Sequence, residues 1–267
     1  MTASFVNGNA PVQLPLRFFE KVWGATDLLP WFLESDKKIG EVWFDADLPL
    51  LVKFVFTSDR LSVQVHPGDE FARANENSSG KTEMWYVMRA DPGARLAIGL
   101  RESISKERLR ESALSGEVEH LLNWMEVQAG DAFFIPAGTV HAIGGGLALC
   151  EVQQHSDLTY RLYDYGRPRE LHLDKAVAVA STEASDVRSV MLPIDCPYFH
   201  TELARTTSSL LYKPEAGRFH IVIFVGGMGT IAGNPFREGQ AWLIPAGAQP
   251  FEIEPRDPAK FLRTWVP

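Results

Sequence analysis

Short apolar runs recur along the chain, each stopped within a few residues by glycine, proline, asparagine or aspartate. IGEVWFDA (39–46), LLVKFVFT (50–57), LSVQVH (61–66), EMWYVMRA (83–90), ARLAIGL (94–100), DAFFIPAG (131–138) and LALCEVQQH (147–155) are the clearest. They are rich in β-branched and aromatic residues and alternate in part, as half-buried strands do. Many short strands at this spacing fit a sandwich or barrel and not alternating βαβ units. One segment breaks the pattern. Apolar residues at Ile104, Leu109, Ala113, Leu114, Val118, Leu121 and Leu122, punctuated by Gly116, predict a helical insertion at about 103–126 made of two short helices. ATDLLPWFL (25–33) and HLDKAVAVAS (172–181) are weaker helix candidates. The expected class is mainly β.

The sequence also echoes itself. GDAFFIPAGTVHAI (130–143) resembles GQAWLIPAGAQPFEI (239–253), and KTEMWYVMRADPGARLAIG resembles RFHIVIFVGGMGTIAG. Two copies of one β unit follow, with a boundary expected near 185–192: residues 1–188 and residues 189–267. The second copy has Pro250 where the first has His141, so the polar residues of the first unit serve something the second does not share.

Those polar residues stand on otherwise apolar strands. Residues two apart on a strand share a face, so Gln64 and His66 project together, as do Lys81 and Glu83. His141 ends a third strand, after IPAGTV. Two imidazoles and a carboxylate converging at a barrel mouth suit Zn²⁺ with a coordination position left open. A single strand histidine is more often a hydrogen-bonded structural residue; the combination is what points to a metal. Lys53, inside LLVKFVF, would bury an ammonium at high cost without a partner, which makes it a site candidate as well.

Bulk properties exclude several classes. The net charge of -8 is spread along the 267 residues, and nucleic-acid binding needs a basic footprint instead. A small phosphorylated ligand needs only a few local cations. Two cysteines, Cys150 and Cys196, make no CxxC pair, which fits a reducing, cytoplasmic setting. The N-terminal MTASFVNGNAPVQLPL lacks the basic and apolar regions of a signal peptide, and no run of 18 apolar residues predicts a membrane span.

LSVQVHP, GKTEMWY, PAGTVHAI and EVQQHSDLTYRLYDY together resemble the motifs of type I phosphomannose isomerases in their short bacterial form. The resemblance begins at LPLRFFEKVWG (14–24) and covers nearly the whole chain. It implies two cupin (jelly-roll) β-barrels, the second degenerate, and a zinc-dependent interconversion of mannose 6-phosphate and fructose 6-phosphate. It further implies one Zn²⁺ per chain on His66, Glu83 and His141, with Gln64 a possible fourth ligand. Arg161 matches the family's catalytic arginine, and Lys53, Ser62, Lys81, Glu151 and Asp157 match other active-site positions. Glu151 is the leading proton shuttle. Arg161 steadies an enediolate or the phosphorylated substrate, or else forms a salt bridge with Asp157 or Asp164. His155 departs from the small polar residue expected there. The partner is a small phosphorylated hexose, and the chain a monomer or homodimer. Another metal-dependent cupin enzyme and a non-catalytic sugar-phosphate-binding cupin are the alternatives.

Overall fold

The structure is a computed structural model that describes residues 8–267. The start of the segment read as lacking a signal peptide, residues 1–7, lies outside the described residues. The chain is mainly β, and the described residues form four sheets of six, five, six and four strands.

The strand order repeats. In the N-terminal half, Ala132–Ile135, Glu83–Ala90, Leu147–Gln154, Leu50–Thr57 and Ile39–Phe44 lie side by side, closed by the long strand Leu16–Ala25. In the C-terminal half, Gln240–Ile244, His220–Gly226, Ala259–Trp265, His200–Thr206 and Ile194–Asp195 lie in the same order. The accompanying sheets match too. Val63–Val65, His141–Ile143, Arg95–Leu100 and Leu122–Glu126 in one half correspond to Leu210–Tyr212, Phe251–Pro255, Met228–Ile231 and Asn234–Arg237 in the other. The internal echo in the sequence is therefore an echo in topology.

Alternation explains why Leu50–Thr57 and Leu147–Gln154 are buried along their full length. Val52, Phe54 and Phe56 point into a core shared with Phe199, Ile221, Ile223, Leu243 and Leu262 of the C-terminal half. Their neighbours Lys53 and Val55 point the other way, towards Trp85, Val87 and Leu149. A sheet covered on both faces reads as a continuous apolar run. The strand Val12–Gln13 pairs with Gln240–Ile244, so a cut at residue 188 leaves one strand of the N-terminal segment in the C-terminal sheet.

Helices cover the outer face of the five-stranded sheet, where Val63, Val65, Ala142 and Leu162 meet Leu109, Ala113 and Ala176. Lys106–Ser115 starts where the Ser105 side chain accepts from the Arg108 amide at 3.1 Å and stops at Gly116, whose φ of 85° suits only a residue without Cβ. Val118–Leu121 adds one further turn. The helical insertion expected to about residue 126 is shorter: Leu122–Glu126 is a strand, because Leu122, Trp124 and Met125 pair with Arg95–Leu100. Leu173–Val179 is helical as expected, whereas in 25–33 Ala25 ends a strand and 26–33 is turn and loop.

Candidate metal centre and active-site cavity

Register brings the polar residues into two facing rows. Across the six-stranded sheet, Trp43, Lys53, Glu151 and Trp85 are direct neighbours in one row. Glu83 and Gln153 follow in the next. Across the five-stranded sheet, Arg161 pairs with Gln64, and Gln64 with His141. His66 lies just beyond its strand, at 1 % exposure.

One donor atom each from His66, Glu83 and His141 lie within 4.8 Å of one another. His66 Nε2 is 3.6 Å from Glu83 Oε2, and His141 Nε2 is 3.5 Å from Glu83 Oε1. Both imidazoles are oriented from behind: Nδ1 of His66 donates to the Leu158 carbonyl at 2.8 Å and Nδ1 of His141 to the Thr139 carbonyl at 2.9 Å. A carbonyl only accepts, so Nδ1 carries the proton and each Nε2 presents a lone pair to the cluster. Burial drives His66 well below its usual value and His141 down to about 4, so both rings are neutral near pH 7. Glu83 Oε1 is buried and receives no hydrogen bond. Two neutral imidazoles and an unsatisfied carboxylate oxygen fit a divalent cation.

The cluster already holds one positive charge. Lys81 Nζ stands 3.0 Å from His66 Nε2, 2.8 Å from Glu83 Oε2 and 3.4 Å from Glu151 Oε1. Lys53 Nζ, opposite on the neighbouring strand, is 3.0 Å from Glu151 Oε1. The costly buried ammonium expected at Lys53 thus has its partner directly across the ladder. Burial works against ionising Glu151, and Lys53 and Lys81 overcome it, holding the carboxyl well below its usual range. Glu83 goes the other way: burial, then the Glu151 carboxylate, pushes it up to about 8. Like charges this close leave one of two carboxyls protonated.

That proton sets a pH dependence. A ligating carboxylate must be ionised, so a metal entering at pH 6–7 displaces the Glu83 proton, while the imidazoles release none. Divalent-metal affinity is expected to rise by up to about tenfold per pH unit below pH 8 and to level off above it. Titrating the metal-free protein with Co²⁺ between pH 6 and 9 checks this; a flat profile contradicts it.

A cavity of about 250 Å³ opens beside the cluster, lined by Lys53, Ser62, Gln64, Lys81, Glu151, Asp157 and Arg161. His66, Glu83 and His141 form the cluster, and Gln64, Lys53, Ser62, Lys81, Glu151, Asp157 and Arg161 lie on this wall, whereas His155 does not. Gln64 donates its amide to His141 Nε2 at 3.2 Å; a half-turn of the amide brings Oε1 to that position. Arg161 donates from Nη1 to the Glu170 carbonyl at 2.7 Å, and its buried Nε has no partner. It makes no salt bridge with Asp164, whose carboxylate is taken by Arg167 and Arg169. His155 is exposed and bonds the Leu48 carbonyl. Lys21, Glu41, Trp43 and Arg169 also line the cavity. Sequence reasoning missed them, although Glu41 in IGEVWF carries the same signal as Lys53, a charge on an apolar strand. A larger open depression of about 960 Å³ is lined by Arg60, Arg95 and Trp124 and by none of the three cluster residues.

No family model matches the chain. The mannose-6-phosphate isomerase ManA of Bacillus subtilis (strain 168) is 37% identical over 228 residues, 77% of this chain and 72% of that protein. The chain belongs to the mannose-6-phosphate isomerase family. A second isomerase of this family, from Streptococcus mutans, is 47% identical over 137 residues, 49% of this chain and 43% of its own length. The crystal structure of a mannose 6-phosphate isomerase from Bacillus subtilis superposes with a TM-score of 0.87 at 26% identity, covering 96% of this chain and 99% of the other. Membership of the mannose-6-phosphate isomerase family agrees with the motif resemblance and with the mainly β architecture. Among the described residues, no helix is long and apolar enough to cross a membrane.

Proposed function

We propose that this chain interconverts mannose 6-phosphate and fructose 6-phosphate with one zinc ion held by His66, Glu83 and His141, Gln64 serving as a fourth ligand. The observation that carries the reading is the buried His–Glu–His cluster opening onto a cavity lined by Lys53, Lys81, Glu151 and Arg161. Donors about 2.0–2.2 Å from a tetrahedral zinc lie about 3.3–3.6 Å apart; the two rings stand 3.6 and 3.5 Å from different oxygens of Glu83, and a set of one donor atom per residue spans up to 4.8 Å. The two matched sheet pairs support a two-barrel cupin reading, and two free cysteines suit the cytoplasm.

Aldose–ketose isomerisation moves a proton between C1 and C2 of the sugar and shifts the carbonyl through an enediol-like species. When bound, the ion supplies an electrophile for the sugar oxygens and their developing charge. Glu151 is the proton carrier: its carboxylate is ionised, held by Lys53 and Lys81, and faces the cavity. Arg161 is half-buried on the opposite row with an unpaired Nε, and Arg169 lines the same cavity. Two guanidinium groups in one wall suit an anionic substrate. Ser62 and Asp157 complete the wall as hydroxyl partners.

Metal analysis combined with a coupled assay for fructose 6-phosphate tests the whole reading. Zinc at one equivalent with turnover of mannose 6-phosphate supports it; bound zinc without turnover rejects it. Arg161→Ala is expected to lower kcat/KM on the order of a hundredfold or more, the loss of a charge-assisted bond in a desolvated site. Unchanged kcat/KM removes Arg161 from the reaction.

A further inference from the structure

Three chain segments deliver the metal-cluster residues, and contacts outside the cluster tie them together. Gly138 N donates to the His66 carbonyl at 2.8 Å, joining the loop before His141 to His66. Ala137 N donates to Thr82 Oγ1 at 3.2 Å, joining the same loop to the residue before Glu83. The His66 and Glu83 segments are joined by the backbone bond from Lys81 N to the Pro67 carbonyl at 3.0 Å and, among side chains, through Gln154. Gln154 Oε1 accepts from the Thr82 amide at 2.9 Å, and Gln154 Nε2 donates to Asp69 Oδ1 at 2.9 Å. Its own backbone amide donates to the Thr82 carbonyl at 3.1 Å. Asp69 Oδ1 also accepts from Gly80 N at 2.8 Å. At Gly80 the two segments pack so closely that a Cβ would lie 2.6 Å from the Asp69 amide nitrogen.

Gln154 sits at the end of Leu147–Gln154, three residues past Glu151, and is only 7 % exposed. Its amide has a fixed polarity: the oxygen must face an N–H and the NH₂ must face a carboxylate. No residue of another chemical type offers both at this reach. Neither Gln154 nor Asp69 is in the ligating trio, and Gln154 does not line the cavity.

We infer that Gln154 is a positioning residue that sets the spacing between His66 and Glu83 by bridging Asp69 and Thr82, and so tunes metal affinity and turnover without touching substrate. The inference rests on the metal reading above. Partners one shell behind metal ligands typically change metal affinity or activity by about 10–100-fold when altered.

Gln154→Glu keeps the shape but sets a carboxylate against that of Asp69. Co²⁺ binding to the metal-free full chain, followed by d–d absorbance, is the readout, with unfolding by circular dichroism alongside. Gln154→Glu is expected to weaken Co²⁺ binding about 10–100-fold, to alter the absorbance band, and to lower kcat with little change in KM. Gln154→Met keeps the length of the side chain but makes neither side-chain hydrogen bond, and is expected to weaken Co²⁺ binding in the same direction. A folded Gln154→Glu or Gln154→Met protein with wild-type affinity and spectrum overturns the assignment. If Gln154→Glu does not fold, a folded Gln154→Met protein with weakened affinity supports it and one with wild-type affinity overturns it. Wild-type protein that binds no Co²⁺, or binds it equally after His66→Ala, overturns the metal reading and this inference together.

Discussion

His141→Ala is expected to abolish stoichiometric zinc binding and to cut turnover by roughly a thousandfold or more. A metal ion contributes several kcal/mol of transition-state charge stabilisation, and each 1.4 kcal/mol is about a factor of ten. His141 is fully buried, its ring is fixed by the Thr139 carbonyl, and Trp85 packs against it edge-on at 5.3 Å. The substitution therefore removes a donor that only a ring held in this pose supplies. Metal content and kcat measured on the same preparation, with circular dichroism to confirm folding, check the result. Wild-type zinc content or turnover would remove His141 from the centre.

The second large effect concerns the buried charges. Lys53→Met removes the nearest partner of Glu151, whose side chain is 4% exposed. Breaking a buried pair from one side typically costs about 3–5 kcal/mol, because the remaining charge is left uncompensated. Lys81, at 3.4 Å, relieves part of that cost and is itself shared with Glu83. Urea unfolding should show the loss. Lys53→Met with Glu151→Gln should recover most of the stability while leaving turnover depressed, since a neutral amide has no carboxylate to accept a proton. Recovery of both would mean that the pair is structural alone.

The strands and the cluster were legible in the sequence for one reason. Charged or imidazole side chains at alternating positions of apolar strands stand out against the residues beside them, as at His66, Glu83 and Lys53. What local pattern could not supply was register. Nothing near Lys53 indicates that Glu151, almost a hundred positions on, lies directly opposite, or that Arg161, Gln64 and His141 form one row. The helix Asp69–Glu76 is hidden because DEFARANENSSG is short and mostly polar, with Phe71, Ala72 and Ala74 as its apolar residues and Ala72 alone buried in the helix. Its start is marked only by Asp69 and Glu70 in the first turn, and its end by Asn77 in a left-handed conformation. Leu122–Glu126 was read as helix because Leu121 and Leu122 continued the apolar spacing of the preceding turns; pairing with Arg95–Leu100 overrode it.

The C-terminal half inverts the central pair. Glu202 and Arg263 occupy the ladder positions that Lys53 and Glu151 hold in the N-terminal half, and Arg263 Nη2 lies 2.7 Å from Glu202 Oε1. His220 stands where the first half has Glu83, each opposite the isoleucine of its IPAG turn. The same ladder geometry carries either polarity, so the chemistry resides in the side chains and not in the frame.

The doubly covered sheet has a mechanical consequence. Cys150 faces the core shared with the C-terminal half, while its neighbour Glu151 faces the cavity. The partition between the halves is therefore one strand thick at the cavity wall. Phe199 and Leu243, remote in sequence and outside the cavity, belong to the same core as Cys150. The core of the C-terminal half thus backs the strand that carries Glu151, and random mutagenesis for altered turnover is expected to return hits along that buried seam.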